Sequence, residues 1–481
     1  MGVLAGLEPL RVFHYFEEIC QIPHGSGNTK AISDYLAGFA REHGLRYLQD
    51  TTNNVVIFKE ASKGYEDKPT VMLQGHMDMV CAKHPGVEHD FEKDGLRLAV
   101  DGDNINAQGT TLGGDDGIAV AYMLAILEAD HIKHPALEAV ITVDEEIGLL
   151  GAKVLDASEL KSRWMINLDS EAEGVLTVGC AGGVRARLHL PVTYMEAAGT
   201  VCQVTVSGLL GGHSGAEIDK GRANANTMMG RVLYRLAECV EFTVASIAGG
   251  QADNAIPKSC EATLVLTADQ KDEAEACVQK LQKELTEEFR SCDPDIRIGL
   301  ELGEHQELQA FSYETVEKLI FLLFTLPNGV QRMSPDIEGL VQTSLSLGIV
   351  ETQEDSVRFV LSIRSSLESE KQLLADKIGY MIRFVGGTVD FAGGYPGWAY
   401  RPDSALRELM VQVYREMYGQ EPVVEAIHAG LECGLISAKL PGLDCISLGP
   451  DMKDIHTPDE TLNIPSVKRV WNYLLKVLES C

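Results

Sequence analysis

The sequence predicts an α/β fold in which a discontinuous, mostly parallel-sheet domain is interrupted by an inserted α/β domain. Over the first part of the chain, short apolar strand segments alternate with amphipathic helical segments, a pattern typical of parallel sheets. The pattern changes near Gly183, and the first pattern returns after the G-G-Y-P-G segment at 393–397. We therefore expect a main domain formed by residues 1–185 and 394–481, with an inserted lid domain at 186–393.

The elements of the first part follow from apolar periodicity, which has a period of 3.6 residues in helices and two in strands. Gly44 marks a helix end, and the Asp101-Gly102-Asp103 turn marks a hairpin. The apolar run from Ile118 to Leu127 predicts a helix buried on most sides. The predicted elements are helices at 7–19, 29–43 and 118–129, strands at 54–58, 70–74, 136–143 and 164–168, and a hairpin at 100–107.

The inserted region contains two similar series of strands and helices, which indicate two α/β units. The predicted elements of the first series are strands at 184–194, 200–207, 242–248 and 259–267 and helices at 222–239 and 271–290. Those of the second are helices at 312–325 and 369–384 and strands at 340–350, 356–365 and 387–392. The last part of the chain predicts helices at 403–418, 431–438 and 465–479 and strands at 422–427 and 444–448.

Composition excludes several classes of function. The net charge of −30 over 481 residues disfavours binding to nucleic acid or to an anionic membrane face. No apolar run approaches 18 residues, and the first residues lack a signal-peptide pattern, so we expect no membrane partner. The eleven cysteines form no C-x-x-C pair, which favours free thiols in the cytoplasm.

Polar residues stand where the apolar strands end. They are His76 and Asp78 after strand 70–74, Glu145 and Glu146 after strand 136–143, Asp169 after strand 164–168, and His456 after strand 444–448. Parallel strands bring their carboxyl ends to one edge of the sheet, where ligands bind. These side chains are therefore expected to lie close together.

Asp115 and Asp116 lie where a Gly-Gly loop leads into helix 118–129. Taken alone, this placement is explained by an N-cap, in which Asp accepts a hydrogen bond from an unpaired N–H. The predicted sheet, however, brings this loop to the same edge as the residues that end the strands.

Two histidines and at least four carboxylates at one edge indicate a metal site. Without partners, so many partly buried acids would repel one another and take up protons, and a pair of divalent cations removes that repulsion. Oxygen and imidazole donors without thiolate suit catalytic zinc, and also cobalt or manganese. Two ions ~3.5–4 Å apart, bridged by a carboxylate and a water, are a common hydrolytic arrangement.

Each candidate also has an ordinary structural explanation. These are a core histidine for His76, a solvated helix start for Glu145 and Glu146, and turn residues for Asp169 and His456. Two features favour chemistry. In the H-x-D pattern, His76 and Asp78 face the same side of the strand, and an Asp in that place fixes the tautomer of a ligating histidine. The Glu-Glu pair has apolar flanks, which favours one metal ligand and one general base.

Five motifs resemble those of one enzyme family. They are G-H-M-D-M-V at 75–80, T-L-G-G-D-D-G-I-A at 111–119, V-D-E-E-I-G-L-L-G-A at 143–152, N-L-D-S-E at 167–171 and H-A-G-L-E-C-G-L-I at 428–436. Together they are similar to the aminoacyl-histidine dipeptidases, carnosinase-type enzymes of the co-catalytic di-zinc metallopeptidases. That wider family includes peptidase T, carboxypeptidase G and the aminoacylases. The resemblance runs from Pro9 through the last helix.

The resemblance implies roles for the matching residues. The implied ligands are His76 and Asp169 for one zinc ion, Glu146 and His456 for the other, and Asp115 as the bridge between them. Glu145 is implied as the general base, and Asp78 as the acid that orients His76. Asp116 stands where relatives often carry Asn and is left outside the ligand set. The resemblance also implies a cis peptide bond between Asp115 and Asp116.

In the inserted domain, the resemblance implies residues that bind substrate. The G-G-H-S-G motif makes His213 a candidate to polarise the scissile carbonyl, while Asn254 and Arg364 match positions that hold the substrate backbone and carboxylate. Taken alone, these residues also fit a Gly-rich turn, a turn Asn and a surface-strand Arg. The insertion of about 200 residues is roughly twice one α/β unit, so we expect His213 to serve the metal site of its own chain. The chain would then be active as a monomer or a homodimer.

The expected protein is a di-zinc metallopeptidase that hydrolyses dipeptides, in particular aminoacyl-histidine dipeptides of the β-alanyl-histidine type. Glu145 would act as base on a metal-activated water. Another dipeptide, a tripeptide or an N-acyl amino acid remain alternative substrates. A non-catalytic metal- or peptide-binding protein is the alternative class, but it would have no need of the Asp78–Glu145 pair.

Overall fold

A computed structural model of the chain describes residues 2–266 and 270–481. The chain divides into two compact units. The first comprises Met1–Gly179, Trp398–Ala426 and Leu431–Cys481, and the second comprises Cys180–Gly397 and Ile427–Gly430. The chain thus leaves the first unit and later returns to it, and each unit combines helices with a sheet. The predicted α/β class is confirmed.

The described residues of the first unit build an eight-stranded sheet that is parallel in its centre. Its strands, in spatial order, are Arg46–Gln49, Val55–Lys59, Leu137–Thr142, Val71–His76, Trp164–Asn167, Asp444–Ser447, Val175–Cys180 and Val423–Ile427. The four neighbours from Leu137–Thr142 to Asp444–Ser447 run parallel. The strands that flank them pair antiparallel, so the parallel part is limited to the centre of the sheet.

The helices of the first unit are Leu10–Cys20, Lys30–Glu42, Gly114–Glu128, Leu150–Val154, Ala405–Tyr418, Glu432–Lys439 and Ile464–Ser480. Gly114–Glu128 packs against helix Leu10–Cys20 and strand Val71–His76. Its residues from Asp116 to Leu127 are all buried, as the apolar run predicted. Asp115 and Asp116 depart from helical backbone angles, and the peptide bond between them is cis, as expected.

A small antiparallel sheet holds one further loop close to this helix. Its strands are Met452–Lys453, Thr461–Asn463, Asn104–Ala107 and Leu98–Asp101, in that order. Leu98–Asp101 and Asn104–Ala107 form the predicted hairpin. Thr461–Asn463 pairs with the hairpin and also with Met452–Lys453, so the chain between these two strands, which carries His456, is fixed at both ends.

The second unit has a nine-stranded sheet among its described residues. Eight strands follow the order Arg297–Phe311, Tyr194–Ser207, Cys260–Leu266, Phe242–Gly249, Val341–Thr352, Ser356–Ser365, Gly182–Pro191 and Thr388–Tyr395, and Gly329–Met333 pairs with Val341–Thr352. Phe242–Gly249 pairs antiparallel with Val341–Thr352, so the strands of the two predicted series join in one sheet. The predicted end of one strand at Thr267 lies outside the described residues.

Helices Ala225–Ala237, Lys271–Glu288, Tyr313–Thr325 and Glu368–Phe384 share one apolar cluster with this sheet. A short 3₁₀ helix, Ile218–Lys220, and a two-stranded ribbon, Gly212–His213 with Ala255–Ile256, complete the unit. The sequence did not predict the two strands of this ribbon, nor Arg46–Gln49, Val175–Cys180, Arg297–Phe311, Gly329–Met333, Met452–Lys453 and Thr461–Asn463. Within the described residues, every helix is too short or too polar to cross a membrane.

Candidate metal centre

The parallel strands of the first unit deliver a histidine and acids to one edge of the sheet. His76 is the last residue of strand Val71–His76, and Asp169 follows strand Trp164–Asn167 by two residues. Nε2 of His76 lies 3.7 Å from Oδ1 of Asp169. The side chain of His76 is 1% exposed, so this pair is almost completely shielded from solvent.

Asp115 lies between two histidines. Its Oδ1 is 3.1 Å from Nε2 of His76, and its Oδ2 is 3.1 Å from Nε2 of His456. The same Nε2 of His456 is 3.0 Å from Oε2 of Glu146. The structure therefore brings together all five residues predicted as ligands, with the Asp115 carboxylate in the middle.

Asp78 lies behind His76. Its Oδ1 is 3.4 Å from Nδ1 of His76 and accepts the backbone N–H of Glu145 at 3.1 Å. The hydroxyl of Ser26 donates to Oδ2 of Asp78 at 2.8 Å. The backbone carbonyl of Asp78 accepts Nδ1–H of His76 at 2.9 Å, and together with the nearby carboxylate it favours the tautomer whose Nε2 carries no proton, which is the form that binds a metal ion.

Burial and mutual repulsion shift the pKa values of these groups in different directions. Burial raises the pKa of Asp169 to about 7 and that of Glu145 well above its ordinary value, with neighbouring carboxylates adding to both shifts. Hydrogen bonds to Asp115 and Glu146 raise the pKa of His456 to about 10. Although burial opposes the change, the bonds from His456 and His76 lower the pKa of Asp115. The carboxylates thus favour protonated histidines, whose positive charge partly offsets the negative charge of the acids.

The donor set fits divalent cations. Two groups of side chains each offer ligand atoms within 4.8 Å of one another, namely His76 with Asp115 and Glu146, and His76 with Asp116 and Asp169. Oε1 of Glu146 is buried and has no hydrogen-bond partner among the described residues. A buried carboxylate oxygen without a partner is costly, and a bound cation would remove that cost. Oxygen and imidazole donors are those of catalytic zinc and its substitutes.

Asp116, which the prediction left outside the ligand set, lies at the same place. Its Oδ2 accepts the backbone N–H of His76 at 3.2 Å, and a Cβ on Gly75 would lie 2.3 Å from that oxygen. Burial raises the pKa of Asp116 well above its ordinary value, with the charge of Asp169 adding to the shift. Oδ1 of Asp116 is buried and has no hydrogen-bond partner among the described residues, as is the case for Oε1 of Glu146, so Asp116 both supports the end of the strand and offers an oxygen to the same place.

A layer of buried polar side chains beneath the centre was not predicted. Oε2 of Glu432 accepts from Nε2 of Gln74 and from the hydroxyl of Thr142, both at 2.5 Å, and Oε1 of Gln74 accepts from Nδ2 of Asn167 at 2.6 Å. Burial raises the pKa of Glu432 to about 7. The sequence did contain a signal, because Gln74 and Asn167 stand two residues before His76 and Asp169 and so share their side of the strands.

The three substrate-binding candidates lie in the second unit, and the structure brings them together there. The backbone carbonyl of Asn254 accepts the N–H of Ser214, the residue after His213. A Cβ on Gly215 would lie 3.0 Å from Nε of Arg364 and 3.0 Å from Cε1 of His213, so this glycine allows the loop to pack against both side chains. Nε of Arg364 is buried without a hydrogen-bond partner in the described part of the chain, although its guanidinium reaches the Tyr395 hydroxyl at 3.2 Å.

The backbone around His213 determines its tautomer. Nδ1 accepts the N–H groups of Gly215 and Ala216 at 3.2 and 3.0 Å. The proton of the neutral ring must therefore be on Nε2, which can donate it to a carbonyl oxygen. Burial lowers the pKa of His213, and the charge of Arg364 adds to the shift, so the ring stays neutral.

The fold and this donor set define the class of metal-dependent hydrolases, in which acids and histidines at strand ends surround the reacting group. The sequence model of peptidase family M20/M25/M40 matches residues 72–480 of this chain. The cytosol non-specific dipeptidase of Escherichia coli (strain K12) is 35% identical over 481 residues, which cover 100% of this chain and 99% of that protein.

Solved structures give the same result. The aminoacylhistidine dipeptidase from Vibrio alginolyticus matches with a TM-score of 0.94 and 37% identity, over 99% of this chain and 97% of that chain. The aminopeptidase PepT from Bacillus cereus shares the fold, with a TM-score of 0.57 and 16% identity over 98% and 99% of the two chains. This chain belongs to peptidase family M20/M25/M40. The resemblance inferred from the motifs is confirmed, and the protein is a peptide hydrolase.

Proposed function

We propose that this protein is a dipeptidase whose active site holds two divalent metal ions. The observation that carries the proposal is the position of Asp115, whose two carboxylate oxygens each lie 3.1 Å from a different histidine. A carboxylate with one oxygen toward each of two imidazoles is placed to bridge two ions. The proposed ligands are His76 and Asp169 for one ion, Glu146 and His456 for the other, and Asp115 for both.

Zinc is the proposed ion, with cobalt or manganese as substitutes, because the donors are imidazole and carboxylate without thiolate. When bound, the ions lower the pKa of a water molecule from ~15.7 toward ~7 and polarise the scissile carbonyl. Glu145 removes the proton of the attacking water and delivers it to the leaving amine. Burial raises the pKa of Glu145, which makes it a stronger acceptor for the proton of the attacking water than an ordinary carboxylate. Asp78 keeps Nδ1 of His76 protonated and the ring oriented.

The inserted domain predicted at 186–393, which falls within the second unit, is proposed to act as a lid that binds the substrate. His213 donates from Nε2 to the carbonyl oxygen, Asn254 binds the peptide backbone, and the guanidinium of Arg364 pairs with the free carboxylate of a dipeptide. The unpaired Nε of the buried Arg364 supports this assignment, since a carboxylate would supply the missing acceptor.

Aminoacyl-histidine dipeptides are proposed as substrates, and the named relatives differ on this point. The Vibrio protein is called an aminoacylhistidine dipeptidase, while the E. coli protein is called non-specific and cytosolic. A cytosolic enzyme that accepts several dipeptides, aminoacyl-histidine among them, agrees with both names. The proposed substrate is therefore a small peptide. The proposed oligomeric state is a monomer or a homodimer.

The test is hydrolysis of a dipeptide panel that includes β-alanyl-histidine, alanyl-histidine, alanyl-alanine, a tripeptide and an N-acetyl amino acid, with and without a chelator. We expect chelator-sensitive cleavage of the dipeptides and little cleavage of the N-acetyl compound. Cleavage that is indifferent to the chelator, or confined to the N-acetyl compound, would contradict the proposal.

A further inference from the structure

Glu460 is a buried acid that lies outside the ligand set. Its side chain accepts the backbone N–H groups that precede the centre, with Oε2 bonded to Leu112 at 2.7 Å and Gly113 at 3.1 Å. Oε1 is bonded to Gly114 at 2.8 Å and to Asp115 at 3.3 Å. Glu460 is 2% exposed, so these charge-assisted bonds are shielded from water and from salt.

The glycines of the loop make this approach possible. Gly113 has a φ of +67°, a left-handed conformation that favours glycine. A Cβ on Gly114 would lie 3.1 Å from Oε1 of Glu460, closer than side chains normally approach. The Gly-Gly pair before Asp115 therefore fits the carboxylate of Glu460 as well as the turn.

Glu460 also belongs to the loop that carries His456. The N–H of Glu460 donates to the carbonyl of Thr457 at 3.2 Å, and the hydroxyl of Thr457 donates to the carbonyl of Asp454 at 2.6 Å. Asp454 and His456 have φ values of +53° and +62°, which non-glycine residues adopt only where the surroundings hold them. One carboxylate thus connects the loop of His456 with the loop of Asp115.

We propose that Glu460 is a positioning residue that fixes Asp115 relative to His456 through the backbone, and so sets the geometry in which the two hold metal. The inference rests on the proposed metal centre. Because Glu460 takes up the N–H groups of the loop, both oxygens of Asp115 remain available to ligands. Outer partners of this kind typically change metal affinity by about 10- to 100-fold.

The alternative is that Glu460 only caps the helix and stabilises the fold. Glu138 provides a matched control for that alternative. It is 3% exposed and accepts the backbone N–H groups of Lys161 and Ser162 at 2.8 and 3.1 Å. Glu138 lies near the start of strand Leu137–Thr142, whereas Glu145 and Glu146 follow the end of that strand. Its replacement by Gln makes the same chemical change, away from the metal ligands.

The experiment compares wild type, Glu460→Gln and Glu138→Gln. Zinc affinity is measured by competition with a chromophoric chelator, the absorption spectrum is recorded on the cobalt-loaded proteins, and thermal midpoints are recorded on the metal-free proteins. We expect both variants to have lower midpoints, but only Glu460→Gln to lose zinc affinity, by about 10- to 100-fold, and to change the cobalt spectrum. Zinc affinity and a cobalt spectrum in Glu460→Gln equal to those of Glu138→Gln would overturn the inference.

A second variant covers the case in which Glu460→Gln does not fold. Gly114→Ala keeps the carboxylate and displaces Oε1 by crowding, so it should lower zinc affinity in the same direction. Wild-type affinity in Gly114→Ala would then overturn the inference. If wild type itself bound no metal, that result would contradict the proposed metal centre. Metal binding by wild type with unchanged affinity in the variants would contradict only the role of Glu460.

Discussion

The carboxylate of Asp78 accepts the backbone N–H of Glu145 at 3.1 Å. This bond joins the chain after one parallel strand to the chain after its neighbour. The backbone carbonyl of Asp78 also accepts Nδ1–H of His76 at 2.9 Å, and its carboxylate lies 3.4 Å from the same nitrogen, so one residue positions both the proposed ligand and the proposed base. Glu145 is thereby positioned through its backbone, and its side chain remains available for proton transfer.

Replacing Glu145 with Gln should abolish turnover while leaving the metal content near wild type. The amide cannot take the proton of water, and general-base catalysis contributes about 100- to 10,000-fold to the rate. The measurement is kcat together with metal content by mass spectrometry. Glu146→Gln is the matched control and should lose metal. If Glu145→Gln loses metal and Glu146→Gln keeps it, the two glutamates have exchanged roles.

Removing metal should abolish hydrolysis, and about two equivalents of zinc per chain should restore it. Cobalt and manganese should also restore activity. Because ions that bind the folded state stabilise it, the metal-free protein should melt at a lower temperature. Titration of the metal-free protein, followed by activity and thermal midpoint, measures both effects. Full activity at one equivalent would argue against a two-ion centre.

Lys59 should stabilise the helix whose first turn carries Asp115. Its Nζ donates to the carbonyls of Ile126, Leu127 and Ala129 at 3.0, 2.9 and 2.6 Å, at the C-terminal end of helix Gly114–Glu128. Lys59→Met removes a cation from the negative end of the helix dipole and leaves these acceptors without their partner. The expected loss is about 1–3 kcal/mol of the free energy of unfolding.

Urea denaturation, followed by circular dichroism, measures this loss. Lys93→Met is the control, because the ion pair of Lys93 with Asp90 is exposed, and its loss is expected to leave the midpoint nearly unchanged. Equal midpoints for Lys59→Met and Lys93→Met would show that the three bonds contribute little.

The sequence predicted the centre because its residues stand at places that a parallel sheet brings together. His76 and Asp169 follow apolar strands, and strand pairing fixes their proximity without any knowledge of the loops. Glu460 gave no such signal, since an Asp-Glu pair in a polar loop is usually solvated. Its partners at 112–115 lie more than 340 residues earlier in the chain, and only the folded small sheet brings them together.

The strand Arg297–Phe311 was missed for a different reason. Its residues alternate poorly, because most of them are exposed or half-buried and several are charged. Without an apolar face, neither period stands out from the sequence. Backbone pairing with Tyr194–Ser207, and not side-chain burial, holds these residues in a strand.

His428 should make the folded state sensitive to acid. Burial lowers the pKa of His428 to about 4, and the nearby charge of Arg364 adds to the shift. The ordinary pKa is about 6.5, so between about pH 6.5 and pH 4 the unfolded chain binds a proton that the folded chain does not. The free energy of unfolding should therefore fall with decreasing pH in this window, by up to about 3 kcal/mol.

Replacing His428 with Gln should remove this contribution, while the amide can still bond the Ser344 hydroxyl that lies 2.7 Å from Nε2 of His428. The measurement is urea denaturation of wild type and His428→Gln at pH 7, 6 and 5. Stability should fall less steeply in the variant. Parallel pH dependence in the two proteins would mean that His428 binds protons equally in both states.

His213 is expected to act on the metal centre of its own chain, and a mixture of two inactive variants tests this. For a small single-unit lid, the resemblance to the co-catalytic di-zinc metallopeptidases implies that the matching histidine comes from the partner subunit and that activity requires a dimer. Here the strands of the second unit join in one sheet across both predicted series, so the proposed lid is larger than one α/β unit. His213→Ala and Glu145→Gln should each be inactive, the first for want of a donor to the carbonyl and the second for want of a base. Co-expressed with different tags and purified through both tags, the mixed dimer should remain inactive, because neither chain holds both residues.

If no mixed dimer can be isolated and wild type sediments as an active monomer, the same conclusion follows. Activity in the mixed dimer, at up to about half of the wild-type value since one of its two sites would be complete, would show that His213 crosses the subunit boundary.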